Sequence, residues 1–347
     1  VWLGGGSDIT PTASAYFAIV ATALPIFQFS IFGAGMLRSS GNMVVPSAMS
    51  VVMMSLDVVF NFFLIFPTRP VQLFGAEVTI PGMGMGVVGA AIGTVSAELV
   101  AASITMYILC FRSKELSLRI DTGRFLPTWG VVKRALHISL PMGLQQTIMC
   151  SAYVMTTIII APLGTFAIAA NSFGVIVESL CYMPGYGIAD AATTLVGQSI
   201  GAGRHELMKR FAWLSVGLGV TVMAVMGVVM YVGAPVAMAM MTPAEEVRRL
   251  GVEVLRIEAF AEPMFAAAIV SYGVFVGAAK TLVPSIMNLV SIWGVRISLA
   301  ALLAPSMGLR GVWIAMCIEL CFRGFIFLVK LKFWNIQTSC NHYGKDQ

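Results

Sequence analysis

The sequence predicts an all-α polytopic membrane protein: nine transmembrane helices of an expected twelve, in two pseudo-symmetric helical lobes. Three observations predict it. Of the 347 residues 58% are hydrophobic and 11% charged, where a soluble domain holds about 25% charged residues, and the mean hydropathy is +0.89. Apolar runs long enough to cross a bilayer recur throughout. Landmarks also repeat: Pro25, Gly35 and Pro46-Ser47 recur 238 positions on as Pro263, Gly273 and Pro284-Ser285. A duplicated half inside an apolar chain is the usual mark of a secondary transporter, with its site where the halves meet.

Taken in order, the spans fall at about 10–37, 43–66, 86–111, 135–161, 166–196, 207–234, 247–278, 284–304 and 309–332. The first carries Pro25 and closes at Arg38; the second follows the turn to Pro46. The third opens on Gly86-Val87-Val88-Gly89, as the ninth opens on Gly308-Leu309-Arg310-Gly311. Pro141, Pro184 and Pro263 fall in the fourth, fifth and seventh, where kinks are expected. In the fifth, Pro184-Gly185-Tyr186-Gly187 is a breakable stretch whose freed carbonyls could line water. Most spans exceed the ~20 residues a bilayer core needs, which implies tilt or projection. The resulting domains are a partial N-terminal lobe of three helices (1–112), a cytoplasmic loop (113–134), a C-terminal lobe of six helices (135–332) and a cytoplasmic tail (333–347).

Lysine and arginine set the orientation. Fourteen of the 21 lie on one set of connections, among them Arg38, Arg112, Lys133, Arg204, Lys280 and Lys330. Five lie on the other: Arg69, Arg248, Arg249, Arg256 and Arg310. The positive-inside rule puts the 113–134 loop and the C-terminus in the cytoplasm and Val1 outside. The net charge of +5 is scattered over short loops, which excludes a nucleic-acid face. The six cysteines form no CxxC, and His137, His205 and His342 have no metal spacing. Gly84-Met85-Gly86-Val87-Val88-Gly89 spells a dinucleotide fingerprint, but it is read as following a loop rather than a strand. Helices one to three match seven to nine, while four to six have no partner. A two-fold of six-helix halves therefore needs three more helices before Val1, and the chain is expected to be a fragment lacking roughly one hundred residues.

Four passages carry a resemblance over essentially the whole length: Leu37-Arg38-Ser39-Ser40-Gly41-Asn42 with Pro46, Asp57-Val58-Val59-Phe60-Asn61, Gly86 through Thr94, and Leu195-Val196-Gly197-Gln198-Ser199-Ile200-Gly201-Ala202-Gly203-Arg204. Each is weak alone. In this order and spacing the chain resembles the multidrug and toxic compound extrusion (MATE) transporters. The resemblance implies twelve helices in two lobes around a central cavity, and export of organic cations or drugs in exchange for H⁺ or Na⁺ without a cofactor. It further implies a monomer in the plasma (inner) membrane, in contact with lipid and with no nucleic-acid partner.

Asp57 is the first candidate. It lies eleven positions past Pro46, about 16 Å along a helix and near mid-bilayer. An ionisable group there costs about 2.5–3.5 kcal/mol on insertion scales, so it needs a partner, a proton or water. Asn61 is one turn on and on the same face; the second repeat has Val295 and Leu299 instead. By resemblance Thr94 adds a hydroxyl, and a first-helix Asp, absent here, would complete the cluster. The order of Asp57 and Asn61 is the reverse of the commoner one. Two mechanisms fit: Asp57 holds a proton, or carboxylate, amide and hydroxyl oxygens hold Na⁺. A hydrogen bond between Asp57 and Asn61 that merely packs helices is the plain alternative.

The C-terminal lobe departs from the family, which in several members carries acids at the positions of Met149 and Phe265. Gln146 and Glu262, each three residues earlier, could face the same cavity; for Glu262 the alternative is a place near the outer surface beside Glu258 and Arg256. Glu178 reads as cavity-lining or as a packing contact, and Asp190, about 18 Å further on, as a cavity group or a partner for a loop arginine. Asn171 reads as a drug contact or an interhelical hydrogen bond. Glu319 is expected to be neutralised by Arg296 and Arg323. The 23 methionines suit a multispecific cavity. Three function classes result: a cation-coupled exporter; a lipid-linked oligosaccharide flippase of the same architecture, against which the shortage of intramembrane cations argues; and a membrane enzyme, for which no nucleophile–base pair is present.

Overall fold

The computed structural model describes residues 10–73, 76–113 and 128–334. Most of the loop expected at 113–134 and of the tail expected at 333–347 lies outside these residues. Helices dominate because long apolar segments must satisfy their backbone groups internally. They are α1 (Thr10–Ser39), α2 (Val44–Ile65), α3 (Gly86–Tyr107), α4 (Trp129–Ile160), α5 (Thr165–Gly201), α6 (His205–Met241), α7 (Glu245–Glu258), α8 (Glu262–Gly277), α9 (Leu282–Val290), α10 (Ser298–Met307) and α11 (Leu309–Lys332). A π turn, Ile108–Arg112, extends α3, and a longer one, Ser291–Ile297, joins α9 to α10. Among the described residues eight helical segments are long and apolar enough to cross a membrane, and α7 with α8, bent by 59°, makes a ninth if taken as one span. The chain is a multi-pass membrane protein.

Two local expectations are corrected. Residues 67–83 form an antiparallel hairpin, β1 (Pro67–Leu73) and β2 (Ala76–Met83), inside an otherwise helical fold. The Thr68 hydroxyl donates to the Gly82 carbonyl and accepts from its N–H at 3.1 and 3.2 Å. The glycines at 84–89 therefore do follow a strand. Gly84 and Gly86 take φ of +64° and +56°, which only glycine adopts readily, and they turn the hairpin into α3. The strand belongs to an isolated hairpin rather than a βαβ unit, so the dinucleotide fingerprint remains a coincidence of letters.

The second correction concerns the breakable stretch at 184–187. Pro25, Pro141 and Pro184 all sit inside continuous helices. The stretch 184–187 stays helical, with Gly185 packed against Met223. Only Pro263 coincides with a break: it occupies the first turn of α8, where its missing N–H is no loss, and α7 stops five residues before it, at Glu258.

The chain falls into two compact units, Val1–Phe125 and Leu126–Gln347. In the first, α3 packs against both α1 and α2 through small residues: Gly89, Ala91, Gly93, Ala97, Ala101 and Ala102. In the absence of a hydrophobic drive between helices in lipid, such close approach is what dispersion rewards. In the second, α11 packs likewise against α8 and α10, the arrangement that the sequence repeat implies. Its core is built from α5, α6, α8 and α11 around Met223, Val270 and Phe327, and from α5, α7 and α11 around Val254, Leu255 and Trp313.

Candidate functional site

Polar side chains inside an apolar fold are costly, so their positions mark the candidate sites. In the first unit Asp57 and Asn61 lie on α2, a helix of 22 residues, with Asp57 close to its middle. Both are half-buried, and the Oδ1 atom of each is enclosed without a hydrogen-bond partner among the described residues. No hydrogen bond joins Asp57 to Asn61 among the described residues. Asn61 faces Gly93 of α3 so closely that a Cβ on Gly93 would stand 2.5 Å from its Oδ1. Gly93 is thus a requirement of the site: its missing side chain is the space the amide occupies. Thr94, half-buried, follows one position later, about 100° round the helix. No hydrogen bond among the described residues links it to the pair. Glu98, one turn past Thr94, is a further buried carboxyl on α3.

The second unit holds a larger cluster. Glu319 of α11 is fully buried and bound on both oxygens. Ser291 donates to Oε1 at 2.6 Å, Arg296 reaches Oε2 at 3.0 Å, and Arg323 approaches Oε1 at 3.1 Å. The π turn explains this geometry. Ser291 and Arg296 are five residues apart and would diverge by about 140° on an α-helix; i→i+5 winding brings them back to one face. The Arg323 guanidinium also stacks over Phe265 of α8 at 5.4 Å, and Phe265 meets Tyr182 of α5 edge-on at 5.5 Å.

Beside this neutralised acid stand three more. Glu178 of α5, Glu258 at the end of α7 and Glu262 at the start of α8 are all buried. They interact electrostatically with one another, and Glu178 also with Arg296 and Arg323. Glu258 and Glu262 flank the α7–α8 break. Glu258 Oε2 and both carboxyl oxygens of Glu262 are enclosed with no hydrogen-bond partner among the described residues. Glu262 packs against Gly227 of α6, where an added Cβ would stand 3.3 Å from the Glu262 Cβ; further along α8, Gly273 and Gly277 press on the backbone of α5, and Thr193 donates to the Gly273 carbonyl at 2.8 Å. Glu262 and Glu258 are each 1% exposed, while Arg256 beside them is exposed.

The remaining candidates separate. Asn171 accepts a hydrogen bond from the Trp313 indole at 3.1 Å, tying α5 to α11. Gln146 is exposed, while its neighbour Gln145 is buried and accepts from Tyr272 at 3.2 Å. Asp190 is exposed, well along α5 from Glu178. Among the described residues no three His, Cys, Asp or Glu side chains converge to hold a metal ion. Sequence reasoning passed over Glu258 as a member of the cluster. Its spacing from Glu262, one helical turn, was the available signal.

The MatE family model matches residues 141–302. A probable multidrug resistance protein NorM of Thermotoga maritima is 26% identical over 327 residues, covering 93% of this chain and 67% of that protein. One from Xylella fastidiosa is 29% identical over 238 residues, covering 68% of this chain and 50% of that protein. The chain thus spans two thirds of the first relative and half of the second. Among solved structures, a MATE protein in complex with MaL6 superposes with a TM-score of 0.83 at 20% identity, over 95% of this chain and 71% of the other. A MOP-superfamily transporter from Pyrococcus furiosus, described as having a binding pocket of reversed polarity that suggests a different function, matches equally well: TM-score 0.83, 20% identity, 95% and 71% coverage.

Proposed function

We propose that this chain, a member of the MATE family, is the transport body of a multidrug exporter that exchanges organic cations for H⁺ or Na⁺ by alternating access. The observation that carries the reading is the set of enclosed carboxyl oxygens without a hydrogen-bond partner among the described residues: Asp57 in the first unit, Glu258 and Glu262 in the second. A buried carboxylate left alone costs several kcal/mol, and a proton or a bound cation removes that cost. Such a group is stable with its ion and unstable without it, which is the property that couples ion binding to a change of state. The names of the curated relatives support drugs as the exported class.

The two units divide the work. Asp57 and Asn61 present one carboxyl and one amide oxygen a helical turn apart, a pair suited to either ion, with Thr94 as a third oxygen in the same region. In the second unit four glutamates face two arginines, so electroneutrality in a membrane interior leaves up to two protons or cations to be taken up at Glu178, Glu258 and Glu262. Gln146 and Asp190 lie on exposed surface, where they serve substrate passage rather than ion storage; Asn171 is engaged by Trp313. The asymmetry of lysine and arginine supports a plasma (inner) membrane setting with a cytoplasmic C-terminus, and the protein is proposed to act as a monomer. The flippase alternative loses ground because Arg296 and Arg323 are already bound to Glu319 and are not free for a pyrophosphate head.

The test is ethidium transport by the protein in proteoliposomes under an imposed H⁺ or Na⁺ gradient, wild type beside Asp57→Asn and Glu262→Gln. Gradient-driven transport that collapses in Asp57→Asn places coupling in the first unit, and the effective gradient names the ion. Collapse only in Glu262→Gln places it in the second. Undiminished gradient-driven transport in both variants refutes the reading.

A further inference from the structure

Where α6, α7 and α11 meet on the flank of the second unit, two hollows share Arg256. One, of about 360 Å³, is walled by apolar and aromatic groups, including Tyr231, Phe260, Ile314 and Ile318. The other, of about 530 Å³, runs from Arg256 along α7 past Arg249 and Arg248. Together they make a groove that is apolar at one end and cationic at the other. Arg249 and Arg256 are seven residues apart on α7, two turns and about 10 Å along one face. The acid among them that could cancel the charge, Glu253, is committed to Arg310 at 2.6 Å. Three arginines therefore face a single uncommitted carboxyl, Glu245.

The depth of the groove suits a membrane boundary. The 37 residues of α6 span about 55 Å, some 25 Å more than the ~30 Å hydrocarbon core. Shared between both ends, the excess is about 12 Å, and Tyr231 lies about 15 Å from the helix end at Met241. Arg256 is exposed there, its guanidinium 5.2 Å from the Tyr231 ring centroid and its Nε donating to the Tyr231 carbonyl at 3.4 Å. Tyr231 meets the exposed Phe260 edge-on at 5.7 Å. Aromatic rings with a snorkelling arginine are the furniture of the acyl–headgroup boundary.

We propose that this groove is a binding site for an anionic phospholipid, its phosphate against Arg256 and Arg249 and an acyl chain along Tyr231, Phe260, Ile314 and Ile318. Charge complementarity selects the occupant. A transported organic cation would meet three arginines, and a zwitterionic lipid would bring its own ammonium to them.

Native mass spectrometry of the detergent-purified protein with phosphatidylglycerol or phosphatidylcholine tests this. Wild type is expected to retain phosphatidylglycerol about thirtyfold better, in line with two basic contacts. Arg249→Gln/Arg256→Gln abolishes the preference, and Ile318→Trp, which fills the apolar end, weakens phosphatidylglycerol retention without changing charge. Should the double variant fail to fold, Arg249→Gln alone, at an exposed side chain, is expected to lose about fivefold. Equal retention of both lipids by wild type, undiminished phosphatidylglycerol retention in the arginine variants, or full displacement by free glycerol phosphate each overturns the proposal.

Discussion

At the scale of single residues, buried charge sorts into two kinds. Glu319 has its charge answered by Arg296, Arg323 and the Ser291 hydroxyl, whereas Glu262 has no hydrogen-bond partner among the described residues for either oxygen. The two acids should therefore respond oppositely to the same change. Glu319→Gln strands two arginines in the interior and is expected to cost about 3–5 kcal/mol. It should appear as a clearly lower midpoint of thermal unfolding in detergent. Glu262→Gln removes an unanswered carboxyl and should leave that midpoint unchanged or raise it, while abolishing ion-dependent behaviour that the second unit supplies. Equal losses in both variants would mean that Glu262 is held by a partner. Gly93 gives a third residue-level expectation. Gly93→Val drives a side chain into the space of Asn61 Oδ1 and should impair ion-driven transport as severely as loss of Asn61, with the protein still inserted and monodisperse.

At the scale of elements, irregular winding places the chemistry. The π turn Ser291–Ile297 sets Ser291 and Arg296 on the same carboxylate. Deleting Gly294, within the turn, relaxes it towards α-helical winding and carries one of the two away. The expected result is a loss of thermal stability comparable with Glu319→Gln, and combining the two changes should cost little more than either alone, because they break the same contacts. The α5–α8 crossing depends on Gly273 and Gly277, which press on the α5 backbone near Ala189 and Thr193. Gly277→Val should push α8 outward and lower stability by about 1–3 kcal/mol, the usual cost of overpacking. The break before Pro263 was foreshadowed by the proline itself. The hairpin at 67–83 was not, because Pro67, Pro70, Pro81 and Gly82 read as a loop and the alternation between them is slight.

At the scale of the whole molecule, orientation is an electrostatic property of the loops. With Arg204→Cys and Glu245→Cys placed singly in a background without the native cysteines, a membrane-impermeant maleimide applied to intact cells should label the second and spare the first. The opposite pattern would invert the topology. The helices themselves were legible because a bilayer demands about 20 apolar residues per crossing, and the described residues supply nine such stretches if α7 and α8 are taken as one. The doubled landmarks were legible too: α1 to α3 and the segments from α7 to α11 pack around their last helix in the same manner.

The sequence by itself determined the membrane class, the order of the helices, the repeat and the mid-helix position of Asp57, with Asn61 one turn on, because each follows from local composition against the fixed thickness of a bilayer. The answer to Glu319 was readable as well, since Arg323 lies one helical turn on along the same helix. Only the tertiary structure decided which acids are left unanswered: Glu178, Glu258 and Glu262 are alike as letters in apolar helices. One π turn and an i,i+4 step along α11 bring two arginines to Glu319, while Glu258 and Glu262, on either side of the α7–α8 break, keep oxygens that no donor among the described residues reaches. Burial and partnership depend on where separate helices meet, and no local pattern encodes that.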